Sequence, residues 1–486
     1  MLWQVPFVAM SQKCMGSGKM AHIVVVGGGI TGLVAAYALV HAHADPAPRV
    51  TLVEASNRLG GKIRSEVFAG AVVDLGPEAL VARVPEAKAL CEALGLAEEM
   101  VAPALSKTFM WTRGRLRALP DGLVFGVPTS PWAVARSGIL SPPGVVRAGL
   151  DMLLPRSAFP PDPTVAEVIG PRFGREAVDR LVEPLLGGIH AGRADQLSMA
   201  SVAPHLATAA RQHRSLMVGL RAARPPKGTK APPLLLAIPG GLERVVARLR
   251  DTLDGVDVRT GTPVSSISRL TDGRYGVSSD DDSPIVADAV ILAAPAFATA
   301  RLVREIAPEF SSLLATIAFA TVATVLLAYP MSALSRAIEG SGFLVPRVDG
   351  RLLTACTFCT NKWPHLRSDG TFIVRCSAGR WGDERALHLT DDALVNQLHS
   401  ELAQALGLQE RPREWLVTRW EQAIPQYETG HQARVAEIEA SLADVPGMIL
   451  AGASYHGVGI SACIQDGMRA AAQAQSSLDG HILSVK

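Results

Sequence analysis

One stretch limits the fold of this chain more than any other. HIVVVGGGITGLVAAYAL, starting at His22, reads as an apolar strand, a glycine-rich turn and a helix in direct succession. Within the turn Gly27-Gly28-Gly29, and at Gly32 beyond it, the spacing is G-x-G-x-x-G. Gly27 permits the tight turn, Gly29 lets main chain approach a pyrophosphate, and Gly32 lets the helix pack on the strand. The helix opens with Ile30 and Thr31, so its unpaired N–H groups and positive dipole end face the same point. A second strand, RVTLVE, ends on Glu54, where a carboxylate can hold the ribose hydroxyls of an adenosine. The spacing alone is weak, but a flanking strand, a helix and a terminal Glu together predict a dinucleotide site.

After Glu54 and Ala55 comes Arg58-Leu59-Gly60-Gly61-Lys62-Ile63-Arg64. Arg58, Lys62 and Arg64 can screen the phosphates of a long buried cofactor, and the paired glycines let main chain pass beside it. This R-x-G-G-[KR]-x-x-[ST] run resembles the signature of the amine oxidase and phytoene desaturase superfamily of flavoproteins. The resemblance implies FAD rather than NAD.

A chain of 486 residues suggests two or three domains. A net charge of +2 without a long basic run gives no case for nucleic acid. The hydrophobic content of 48% allows both a deep core and an apolar ligand cavity. The longest apolar run, Thr316 to Tyr329, is shorter than the roughly 20 residues a membrane-spanning helix needs. Residues 1–20 lack the pattern of a secretory signal and read as a disordered tail, with Met10, Met15 and Met20 all open as the start. The six cysteines are too scattered for a disulfide framework. Cys356 and Cys359 make a C-x-x-C inside a strand-like run, with no second pair to complete a zinc site, so they read as core thiols and no metal is expected. The compartment inferred is reducing, the cytoplasm.

Three stretches are expected to build one discontinuous cofactor domain: 21–95, 239–300 and 426–486. The second holds a helix in PGGLERVVARLRDTL, a strand-like DVRTGTPVSSISRL and a buried strand, IVADAVILAAPA; the third holds a strand, a glycine-rich loop and a helix from Met448. Residues 96–238 are read as a mainly helical lobe, with a Pro-rich linker or loop from Ala223. Residues 301–425 alternate strand-like runs with one helix, DDALVNQLHSELAQALG, and are read as a substrate-binding sheet domain. The fold class is thus α/β plus α+β: a two-dinucleotide-binding, Rossmann-like FAD domain, a mixed-sheet domain and a helical lobe.

Longer stretches narrow the resemblance. DLGPEALVAR, EPLLGGIHAGRADQLSM, ACTFCTNKWPH, RWEQAIPQYETGH and GASYHGVGISACIQDG resemble the flavin-dependent protoporphyrinogen/coproporphyrinogen oxidases of heme synthesis, over nearly the whole chain from His22. The glycine loop, Glu54, Ala55, Lys62 and Gly76-Pro77-Glu78-Ala79 match family positions around FAD. Val264 matches the position whose backbone meets the adenine. Trp420 and the loop Val458-Gly459-Ile460 match positions beside the flavin ring, and Gly452 is expected among the cofactor-binding residues. The chain departs from the family at His190, where a Tyr is common, and at Ser461-Ala462, where Pro-Asp is common.

The resemblance implies a six-electron oxidation of a porphyrinogen, with FAD taking two electrons at a time and O2 reoxidising it. The flavin carries the chemistry, so no catalytic side chain is assigned. A broad apolar ring with carboxylate arms calls for an apolar site with cations at its edge. Arg83 is the first anchor expected, then Lys362 and His365, while Phe343 and Leu344 are read either as ring-lining side chains or as sheet core. Coproporphyrinogen III is favoured over protoporphyrinogen IX. An amine oxidase-like or desaturase activity, or a flavin-bound porphyrin carrier, remains open, as do peripheral membrane contact and hand-over to a ferrochelatase.

Overall fold

The strand His22–Val26 lies at the centre of a five-stranded parallel sheet in the order Met448–Leu450, Ala289–Leu292, His22–Val26, Arg49–Val53, Val256–Arg259. Both faces are covered, which is why Ile23 to Val26 are all apolar rather than alternating. Ile23 and Val25 pack under the helices Ile30–His41 and Ile460–Ser484, while Val24 and Val26 pack on the other side against Tyr275, Val277 and Phe310. The structure, a computed structural model, describes residues 20–42, 46–156, 158–223, 233–280, 283–368 and 370–484. The expected N-terminal tail and most of the Pro-rich run after Ala223 lie outside them.

The strands of this sheet come from the three stretches read as one cofactor domain. The helix in PGGLERVVARLRDTL is Glu243–Asp251, with Val245, Val246 and Leu249 buried. Two runs read as single strands are broken. DVRTGTPVSSISRL divides at Gly261, whose φ of +64 no strand accommodates, into Val256–Arg259 and Val264–Arg269. IVADAVILAAPA divides at Asp288, whose carboxylate and N–H both turn to the main chain of His22. Ile285–Ala287 therefore joins Val264–Arg269 and Tyr275–Ser279 in a three-stranded antiparallel sheet, and Ala289–Leu292 joins the parallel one.

The second large sheet has seven strands in the order Glu414–Pro425, Phe319–Pro330, Thr371–Ala378, Leu353–Phe358, Gly342–Leu344, Thr108–Thr112, Arg115–Ala118. It is antiparallel except where Gly342–Leu344 runs parallel to Thr108–Thr112. The stretch read as a mainly helical lobe thus begins by supplying two strands to this sheet, and then forms helices such as Val165–Phe173, Glu183–His190 and Pro204–Gln212 around a core of their own. The helix Asp391–Leu406 covers one face of the sheet. Register makes the two faces unequal. Val325, Cys376, Cys356 and Phe343 form one cross-strand row, buried beneath that helix. The adjacent row, Thr324, Ser377, Ala355 and Leu344, is only half-buried. Alternation puts this second row on the opposite face, toward the cofactor half and the helical lobe.

No helix among the described residues is long and apolar enough to cross a membrane. Among the same residues no cluster of His, Cys, Asp and Glu suits a metal ion, and all five described cysteines are free and buried.

Candidate functional site

Two glycine segments interlock at the end of the central strands. Gly60 N–H donates to Gly28 O at 2.8 Å, and Gly29 bridges to Gly60. Gly27 turns with φ +111. A methyl group on Gly32 would lie 1.9 Å from Gly27 O, so the helix can approach the strand only with glycine there. Gly29 is different: a methyl there would meet no protein atom within 4 Å. It faces open space at the start of Ile30–His41, a helix whose first turn has no side-chain cap. Glu54, at the end of the second strand, accepts from Gly28 N–H at 2.6 Å and from Ser56 N–H at 2.9 Å. Thr262 N–H bonds to Glu54 O at 2.9 Å and brings the start of the Val264 strand to the same corner.

Of the three cations expected along the phosphates, two serve the loop itself. Arg58 donates to the carbonyls of Leu59, Gly61 and Ile63, and Arg64 pairs with Glu66. Lys62 has no carboxylate ion-pair partner among the described residues. Its side chain is exposed, and desolvation by the surrounding protein lowers its ammonium pKa.

Gly76-Pro77-Glu78-Ala79 leaves the hairpin Ser65–Phe68/Ala71–Asp74 and passes against Trp420. A methyl on Gly76 would lie 2.3 Å from Lys62 O and 3.5 Å from the Trp420 ring. Trp420 Nε1 donates to Thr324 Oγ1 at 3.0 Å, and Thr324 Oγ1 donates to Leu75 O at 2.8 Å. The third glycine loop closes the opposite side. Gly452 N–H is held by Asp466 at 2.6 Å. Tyr427 OH accepts from Gly457 N–H at 2.8 Å and donates to Ala453 O at 2.7 Å. Val458 packs on the helical lobe, Ile460 packs into the cofactor-domain core, and Gly459 is exposed.

Charge beneath Gly76 is arranged in a network. Glu78 pairs with Lys362 and, at 3.1 Å, with Arg375. Burial alone would raise its pKa, but the two cations overcome this and hold it down at about 2. Asp74 is pushed up to about 6 by burial, against the hydrogen bonds it accepts from Ser65 and Leu242.

The expected substrate anchors are dispersed. Arg83 is exposed, just beyond the short strand Leu80–Val81 that Ser461 meets. Lys362 is directed at Glu78. His365 lines a separate surface cleft of about 480 Å³ with Ala69–Val72 and Gly240. Phe343 packs on Phe358 at 6.0 Å in the sheet core, and Leu344 lies on the opposite, half-buried face. His190 is buried with its Nδ1 unpartnered, and burial lowers its pKa to about 4. Its ring lies 6.5 Å from that of Tyr427, which stacks on His431 at 3.9 Å. The roles of Arg375, Thr324 and Tyr427 are not apparent in the sequence; the one local signal is Arg375, a lone charge in the apolar strand TFIVRCSA.

Open space before an uncapped helix, close glycine contacts and a cation without a carboxylate partner among the described residues suit a dinucleotide. Comparisons with known proteins agree. Residues 30–475 match the model of the family described as flavin containing amine oxidoreductase. A Bacillus subtilis protein named coproporphyrinogen III oxidase is 34% identical, covering 96% of this chain and 100% of its own length. A Mycobacterium leprae protein of the same name is 37% identical, covering 92% and 96%. A crystal structure bearing the name protoporphyrinogen oxidase, from Exiguobacterium sp. 255-15, superposes with a TM-score of 0.84 at 32% identity, covering 96% and 100%. The cofactor is a flavin, and the dinucleotide cradle makes it FAD. The chain belongs to the flavin-containing amine oxidoreductase family.

Proposed function

We propose that this protein is a FAD-dependent oxidase that converts coproporphyrinogen III to coproporphyrin III in heme synthesis. The observation that carries the reading is 34–37% identity, over 92–96% of this chain, to proteins of that activity's name. Bound FAD supplies hydride acceptance from the macrocycle and electron transfer to O2. Three two-electron steps remove six electrons and six protons from the porphyrinogen and reduce three O2 to three H2O2. The protein's contribution is position and dryness. Lys62 and the first turn of Ile30–His41 hold the phosphates, Glu54 holds the ribose, and Tyr427 fixes the loop carrying Val458 and Gly459 beside the ring. The half-buried face of Thr324, Ser377, Ala355 and Leu344 is offered to the macrocycle, and the exposed Arg83 to one of its carboxylate arms. The product then passes to a metal-inserting ferrochelatase, and the free buried thiols fit a reducing compartment, the cytoplasm.

Protoporphyrinogen IX is the second reading, favoured by the name of the Exiguobacterium structure. The test supplies each porphyrinogen, prepared anaerobically, and then admits air with and without enzyme. Enzyme-dependent porphyrin fluorescence and peroxide are expected from coproporphyrinogen III, with a larger kcat/KM than from protoporphyrinogen IX. Fluorescence growing equally without enzyme would overturn the reading.

A further inference from the structure

Three consecutive carbonyls, those of Asp74, Leu75 and Gly76, are each bound by a side chain from the seven-stranded sheet. Arg375 Nη1 donates to Asp74 O at 3.2 Å and to Gly76 O at 2.7 Å. Thr324 Oγ1 takes Leu75 O between them at 2.8 Å. The second guanidinium nitrogen of Arg375 pairs with Glu78 at 3.1 Å, and Lys362 meets the other oxygen of the same carboxylate. Arg375, Glu78 and Lys362 each keep only 13–14% of their side-chain surface exposed. Such a network is an expensive way to join two halves of a protein, because apolar packing would serve a mere strut at least as well. What it gives that packing does not is direction: a planar fork fixes carbonyls and a carboxylate at set angles. The segment fixed in this way also presses Gly76 on Lys62 O and Trp420.

We propose that Arg375 is a positioning residue for the flavin: acting through Glu78 and the carbonyls of Asp74 and Gly76, it sets the segment Gly76–Ala79 against the cofactor and ties that setting to the substrate-side sheet. The proposal rests on the assignment of Gly76–Ala79 to the FAD site and not on which porphyrinogen is oxidised. Two cations, Lys362 and Arg375, thus stand among two carboxylates, Glu78 and Asp74, so the network carries little net charge once Asp74 is ionised.

The experiment compares Arg375→Lys, Arg375→Met and Glu78→Gln with the parent protein. FAD affinity is read by quenching of flavin fluorescence, the bound flavin by its visible absorption and circular dichroism, and the apo-protein by thermal unfolding. Arg375→Met is expected to bind FAD about tenfold more weakly, a change of about 1.4 kcal/mol. Its visible spectrum is expected to change as well. Arg375→Lys, with charge but no fork, should recover part of the affinity and not the parent spectrum. Glu78→Gln keeps the shape and removes the charge, so it tests the same point if Arg375→Met does not fold. Parent FAD affinity and parent spectrum in a folded Arg375→Met or Glu78→Gln variant overturns the proposal. So does a loss of affinity no larger than that produced by an equally destabilising core substitution, with the spectrum unchanged. None of these readouts uses a porphyrinogen, so failure of the substrate reading is seen separately.

Discussion

At Gly29 and Gly32 the same residue type answers to different neighbours. Gly32 is required by the protein, since a methyl would lie 1.9 Å from Gly27 O. Gly29 faces only the space read as the pyrophosphate site. Gly29→Ala should therefore leave apo-protein unfolding unchanged and weaken FAD binding at least tenfold, while Gly32→Ala should lower the melting temperature even without cofactor. Titration calorimetry with FAD, set beside apo-protein melting curves, distinguishes them; equal destabilisation of the two apo-proteins would refute the assignment. His190 and His431 make a second case. Burial lowers both pKa values from 6.5 to about 4, so the unfolded chain binds protons that the folded one refuses. Their contribution is fully present above pH 6.5 and is lost as pH falls toward 4. Asp74, raised from 3.8 to about 6, acts in the opposite sense over nearly the same window. At 1.36 kcal/mol per unit each group is worth about 3 kcal/mol, so two histidines outweigh one aspartate. The urea midpoint should fall between pH 6.5 and 4.5, and less steeply in His190→Phe. An identical slope in that variant would contradict the assignment.

At the scale of elements, apolar runs and glycines were enough to find the strand–turn–helix at His22, the helix Glu243–Asp251 and the helix Asp391–Leu406, because burial acts there on neighbours in sequence. The break at Asp288 was not legible, since its cause is the main chain of His22, far away in sequence. Arg375 was missed for the same reason: a lone arginine in an apolar strand announces a partner without naming it. Arg58 and Arg64 were legible as cations, but the local carbonyls and the carboxylate they meet were not. The C-terminal helix Ile460–Ser484 shows how close such contacts run. A methyl on Gly467 would lie 2.5 Å from Thr31 O, at the start of the cofactor helix. Gly467→Ala should lower stability by about 1–3 kcal/mol through overpacking and should weaken FAD binding with it. Chemical denaturation of the apo-protein measures the first effect and flavin content after purification the second.

Across the whole molecule, the central sheet takes strands from both ends of the chain: His22–Val26 pairs with Ala289–Leu292, and Met448–Leu450 pairs with the latter. A chain truncated before Met448 would lose an edge strand and the helix over Ile30–His41, and should show no cooperative unfolding transition at all. The grip on Asp74, Leu75 and Gly76 bears on ancestry in a way that single substitutions do not reveal. Each captured carbonyl belongs to a set place in the count of residues between the hairpin and Glu78. The letter at Leu75 can change, since a carbonyl is common to every amino acid, while Gly76 is held to glycine by Lys62 O, and one inserted or deleted residue would shift all three carbonyls out of register with the sheet at once. Among homologues this short stretch should therefore stay constant in length even where Leu75 varies.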